Sequence, residues 1–255
     1  MYSTKYKVLD STAYMEYTGN MKQFKEIIEG ITKPVAMTTI SKKMQSARSK
    51  IVGKSIKPQG IAKALESSVK KEYGVEFTYK FVSNFQGGDM NANAYYDPDA
   101  DEEGDTPIEV ELLFSSDDKQ GIDIDNEGFD VLINIMSMSI AHELLHKSQF
   151  SNRGYVQSKP FKVSKGIDPK IATAQKYMGN SDEIEAYGHN IAVELMNNLG
   201  SRKEALTALR NFVRIPPNVS PDLYAYLIAF GMDKNHPVLK KLVKKVILYL
   251  RELDK

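Results

Sequence analysis

Ile140-Ala141-His142-Glu143-Leu144-Leu145-His146 is the stretch on which the reading of the whole chain turns. It is an HExxH pattern inside a run that is apolar at helical spacing. His142 and His146 are four residues apart, so on a helix both imidazoles leave one face about one turn apart. Two nitrogen donors at that separation can grip one Zn²⁺. Glu143 stands beside the pair, where a carboxylate can take a proton from a metal-bound water. The chain has only four His, and two of them fall in this pattern.

Working outward, the apolar residues Phe129, Leu132, Ile133, Met136, Ile140 and Leu144 repeat with a 3.6-type period. Asp125, Asn126 and Glu127 precede them, with the oxygens and negative charge that suit the free N–H groups of a helix start. The spacing predicts a helix over about 126–150, almost free of charge in its middle and therefore buried on most sides. Two His and a Glu on its last turns need compensation, because unpaired buried charge is costly. A metal supplies it.

A catalytic zinc takes three protein ligands and keeps one position open. The compact three-His pattern HExxHxxGxxH is absent, because Gln149 and Asn152 stand where its Gly and last His would be. The third ligand must lie farther along. The stretch 180–190, Asn-Ser-Asp-Glu-Ile-Glu-Ala-Tyr-Gly-His-Asn, opens a second predicted helix over 181–199 with Ile184, Ile191, Leu195 and Leu199 on its apolar face. Asn180 and Glu183 form a capping-box pattern, which gives Glu183 a structural job. Glu185 lies one turn in and shares a face with Gly188, His189 and Ala192. Small residues there let another helix approach closely.

The HELLH motif followed a few dozen residues later by a helical Glu185-Ala186 resembles the gluzincin group of zinc metallopeptidases. The resemblance implies a zincin-like fold in which His142, His146 and Glu185 hold Zn²⁺ and Glu143 is the general base. His189 falls where some members keep an Asp that orients a ligand His, and is a departure. A His there could donate to the substrate carbonyl or ligate in its own right. Asp182 and Glu183 are the other acids that could replace Glu185 at the metal. The stretch 177–187 also resembles small HExxH proteins encoded by bacteriophages. The likeness spans about residues 108–200.

Composition fits a folded globular chain, with 255 residues, 42% hydrophobic and 26% charged. There is no cysteine, so a zinc site must be built from His and carboxylate. That absence fits a reducing cytoplasm, or a virion if the chain is phage-encoded. No signal-type segment opens the chain and no apolar run reads as a membrane span. Net charge is +1 but uneven: residues 1–80 are basic, 81–130 strongly acidic and 131–255 basic again. The front is expected to dock on the acidic middle, which could otherwise form an acidic rim favouring Lys- or Arg-bearing substrates. No aromatic-interleaved or recognition-helix pattern supports nucleic-acid binding.

In chain order, helices are predicted at 21–31, within 35–52, and at 59–73 with Gly74 as the stop. Alternating strands follow at 75–82 and 108–114. The second is placed to be the sheet edge on which an extended peptide would lie. Residues 85–107 read as a solvated acidic loop; Glu102 stands where a calcium loop of the EF type needs Gly. Residues 151–166 form a polar loop carrying Tyr155, which, like Tyr187, could donate a hydrogen bond to an oxyanion. Helices are expected at 168–177, 201–213, 221–230 and 236–253, with His236 as a turn residue.

The expectation is therefore an α+β, helix-dominated, zincin-like domain over 75–255 with a small sheet, preceded by a helical N-terminal region over 1–74. It would be a zinc-dependent metallopeptidase with a protein or peptide substrate. Glu143 would be its base, His189 or Tyr155 would assist, and His142, His146 and Glu185 would be its ligands. The alternative is a non-catalytic zinc-stabilised binding or virion-associated protein.

Overall fold

The computed structural model describes residues 37–87 and 90–253, and these divide into two compact units, 37–156 and 157–253. The expected helix at 21–31 lies outside the described residues. The fold is α+β and helix-dominated, as the periodicities require. The division falls between residues 156 and 157, and the helix before residue 74 buries its apolar face on the strand that follows it.

In the first unit the order is α1 (Met37–Met44), a 3-10 turn, α2 (Arg48–Ile51), β1 (Ser55–Ile56), α3 (Pro58–Tyr73), β2 (Val75–Val82), β3 (Met90–Tyr95), α4 (Pro98–Glu103), β4 (Ile108–Ser115), a second 3-10 turn, β5 (Ile122–Asp123) and α5 (Asn126–Asn152). Pro58 opens α3 and Gly74 closes it in the left-handed conformation, φ 62°. The main sheet has the order β2-β4-β3, with β2 parallel and β3 antiparallel to β4. Ile108, Val110, Leu112 and Phe114 of β4 are all buried, with Phe77 and Ala94 opposite Val110 and Ala92 opposite Leu112. Strand β4 is therefore central, and the expectation that 108–114 is the free edge is corrected. The edge strands are β2 and β3, and β3 packs against α5. The same stretch corrects the acidic loop, which contains both β3 and α4. Asn and Ala alternate in β3 and give no strand signal of their own; pairing to β4 imposes it.

Helix α5 is longer than expected by two residues. Asp125 caps it, its carboxylate accepting from Gly128 N at 2.7 Å. Phe129, Leu132, Ile133, Met136 and Ile140 are buried along one stripe. Truncating a residue such as Phe129 to Ala would cost about 3–5 kcal/mol. Contrary to the sequence reading, α5 is long and apolar enough to cross a membrane by length and composition alone; 50% of that window is buried inside the protein, as in a core helix. The basic front does meet the acidic middle here. Arg48 donates to Asn126 Oδ1 at 2.7 Å, pairs with Asp130 and lies 4.7 Å above the Phe129 ring, while Gln45 donates to Asp130 at 2.9 Å.

The second unit is helical: α6 (Pro169–Met178), α7 (Ser181–Leu199), α8 (Arg202–Leu209), a 3-10 turn, α9 (Pro221–Ala229) and α10 (Pro237–Glu252). Its core joins Ile184, Ile191 and Leu195 of α7 to Leu223 and Leu227 of α9 and Leu239, Leu242 and Val246 of α10. Helices α7 and α10 approach closely because residue 188 is Gly: a Cβ there would stand 2.7 Å from the Cβ of Lys245. His236 caps α10 through its Nδ1, as a turn residue should. Glu194, on α7, is buried beside Asp222, and Ser220 donates to it at 2.5 Å. Burial first, then the charge of Asp222, raises the Glu194 carboxyl well above its ordinary range.

Candidate metal centre

The two motif histidines meet as their spacing requires. Both are 8% exposed, their Nε2 atoms are 3.0 Å apart, and their rings stand at 76°. Two nitrogens bound to one tetrahedral zinc at 2.0–2.1 Å would be about 3.3 Å apart, so the pair already has nearly the separation a metal needs. The outward nitrogen of His146, Nδ1, is 2.9 Å from Gln149 Oε1. Glu143 is half-buried on the next side of the helix.

Tyr95, the last residue of the edge strand β3, sits within the field of Glu143. Burial, then the charge of Glu111, then that of Glu143 raise its hydroxyl pKa, so the proton stays on. Sequence reasoning missed Tyr95 because β3 is hidden in the Asn- and Asp-rich stretch.

Tyr155 is engaged elsewhere. Its hydroxyl donates to Asp101 Oδ2 at 3.0 Å, and its backbone has φ 62°, a left-handed conformation rare for Tyr. Asp101 is 6% exposed and also accepts from Tyr96 at 2.8 Å and from Thr106 N at 2.9 Å, while Lys147 Nζ lies 3.0 Å from its Oδ1. Burial alone would raise the Asp101 carboxyl; the Thr106, Lys147, Tyr96 and Tyr155 donors outweigh it and hold the pKa below the usual value. The expected solvated acid is thus a buried carboxylate at the centre of a network of half-buried donors, to which Tyr155 gives its hydroxyl.

On α7, the carboxylate of Glu185 is taken up within its own unit. Tyr249 donates to Glu185 Oε1 at 2.7 Å, and Lys245 pairs with Oε2. Both partners come from α10, which the gap at Gly188 brings close. His189 is 3% exposed and presents its ring to Tyr249, 5.3 Å away at 87°. Asn180 caps α7 by accepting from Asp182 N at 3.0 Å, so the cap contact runs to Asp182 and not to Glu183. Glu183 lies beside the hydroxyl of Tyr177. The Tyr177 side chain is 41% exposed overall, yet its hydroxyl end is buried beside Glu183 and Tyr187, which pushes its pKa well up. Within the first unit, His142 and His146 bring two imidazole nitrogens together, a donor pair that suits zinc; within the second, Glu185, the expected third ligand, is held by Tyr249 and Lys245.

No protein-family model, curated protein or solved structure matches the chain.

Proposed function

We propose that the chain is a zinc-dependent metallopeptidase whose metal is held by His142, His146 and Glu183. What carries the reading is that the Nε2 atoms of His142 and His146 lie 3.0 Å apart with Glu143 next to His142 on the same helix, while Glu185, the other glutamate on the first turns of α7, is taken up by Tyr249 and Lys245. When bound, zinc at such a site polarises a carbonyl and lowers the pKa of a water. Glu143 takes the proton of the attacking water and hands it to the leaving amine. Tyr95 keeps its proton near Glu143 and is the better candidate than Tyr155 to donate to the developing oxyanion. Strand β3, an edge of the sheet and packed on α5, is the strand to which an extended peptide would add.

The experiment is Glu143→Gln. Zinc content should stay at the wild-type value while cleavage of a peptide library falls by at least about 10²–10⁴-fold, the range for losing a general base. A Glu143→Gln protein that cleaves as well as wild type would overturn the proposal. Wild-type protein that binds zinc but cleaves nothing would support a structural zinc clip instead.

A further inference from the structure

We propose that Gln149 is a positioning residue that presets His146 as a metal ligand. The inference rests on the metal site proposed above and adds a residue to it. Gln149 is three residues after His146 on α5, so the two side chains share a face. Its Oε1 lies 2.9 Å from His146 Nδ1. An amide oxygen only accepts, so Nδ1 must carry the proton and donate it. A neutral imidazole has one N–H, which leaves the Nε2 of His146 with a bare lone pair.

That lone pair is aimed at the Nε2 of His142, 3.0 Å away. Two lone pairs facing each other at this distance repel. In the metal-free chain His142 must therefore place its own proton on Nε2 and donate it to His146. A cation between the rings removes the need for that proton, and only His142 has to change tautomer to admit it. His146 is ready beforehand. Gln149 also fixes the tilt of the His146 ring. It does so without adding charge, unlike a carboxylate partner, which would make the imidazole more basic. Gln149 occupies the position where the compact three-His pattern would place a Gly. That departure has a physical use: a glycine could make no such bond.

The test uses the full chain and zinc alone. Long-range ¹H–¹⁵N spectra of metal-free protein should show His146 as the Nδ1–H tautomer. Gln149→Leu should give a mixture of tautomers and weaken zinc binding, read by chelator competition, by roughly 10–100-fold. Gln149→Glu keeps an acceptor and should retain the tautomer and bind zinc at least as tightly as wild type. Gln149→Lys offers only donors and should weaken binding as Gln149→Leu does. A purely structural role would not move the His146 tautomer, and should Gln149→Leu fold poorly, the opposite responses of the Glu and Lys variants decide the matter. The inference is overturned if wild-type His146 carries its proton on Nε2, or if the Leu and Lys variants bind zinc like wild type. A wild-type chain that binds no zinc overturns the metal site itself.

Discussion

Two glutamates one half-turn apart on α7 are expected to separate cleanly into a ligand and a clamp. Consider Glu185→Ala. It removes the acceptor of the Tyr249 hydroxyl, a 2.7 Å bond on a residue only 3% exposed. A buried hydroxyl left without its acceptor costs about 1–3 kcal/mol. The ion pair with Lys245, whose side chains are 23% and 14% exposed, adds up to about 1 kcal/mol after solvent screening. The expected loss is roughly 1–4 kcal/mol, and at about 2–4 °C per kcal/mol a fall in Tm of roughly 2–16 °C. Zinc stoichiometry, measured well below that Tm, should remain at the wild-type value. Glu183→Ala should do the reverse, lowering zinc affinity while touching neither Tyr249 nor Lys245. Loss of zinc from a folded Glu185→Ala protein, with Glu183→Ala still metal-loaded, would refute the ligand assignment. An unchanged Tm would refute the clamp.

Gly188→Ala should lower stability by about 1–3 kcal/mol, since its new methyl meets Lys245 at 2.7 Å; chemical denaturation of the second unit's helices checks it, and a neutral result would show that α10 can move aside. Asp101→Asn should cost about 1–3 kcal/mol at neutral pH by weakening the bonds that half-buried donors make to this buried carboxylate. The folded Asp101 pKa is depressed, so its contribution is present above about pH 4, the unfolded value, and is lost as pH falls through the folded pKa. The variant should lack that share of the acid loss in a pH series of unfolding midpoints. Glu194 has a raised pKa, so the sign reverses. Stability falls as pH climbs above about 4.3, by about 1.4 kcal/mol per unit until the folded carboxyl ionises. Glu194→Gln should flatten that slope, and a slope identical to wild type would remove Glu194 as its source.

What the sequence made legible was whatever rests on local period and local chemistry. Helix α5, its Asp125 start and the His142–His146 pairing follow from spacing, and Gly74 marks its helix end for the same reason. Strand β3 was invisible because Asn91, Ala92, Asn93 and Ala94 have no preference of their own; their conformation is set by register with β4. The buried state of Asp101 depends on Lys147, 46 residues away, a pairing no window contains. The choice between Glu183 and Glu185 was equally hidden. Both lie on the first turns of α7, and it is Lys245 and Tyr249, sixty or more residues later, that take up one of them. Gly188 was the available hint, since a small residue beside Glu185 announces a close helix without saying which groups that helix brings.

The anchoring of α5 by Arg48 and Gln45 has a consequence for synthesis of the chain. The Arg48 and Gln45 bonds to Asp130 join residues 82 and 85 positions apart. A ribosome adding 5–20 residues per second needs roughly 4–17 s to make that interval. Until it ends, α1 and α2, with Ile40, Met44 and Ile51 buried in the finished protein, have α3 to pack on but not α5. The interval between translating residue 51 and translating residue 130 is therefore the period in which a nascent-chain chaperone would find the most to hold.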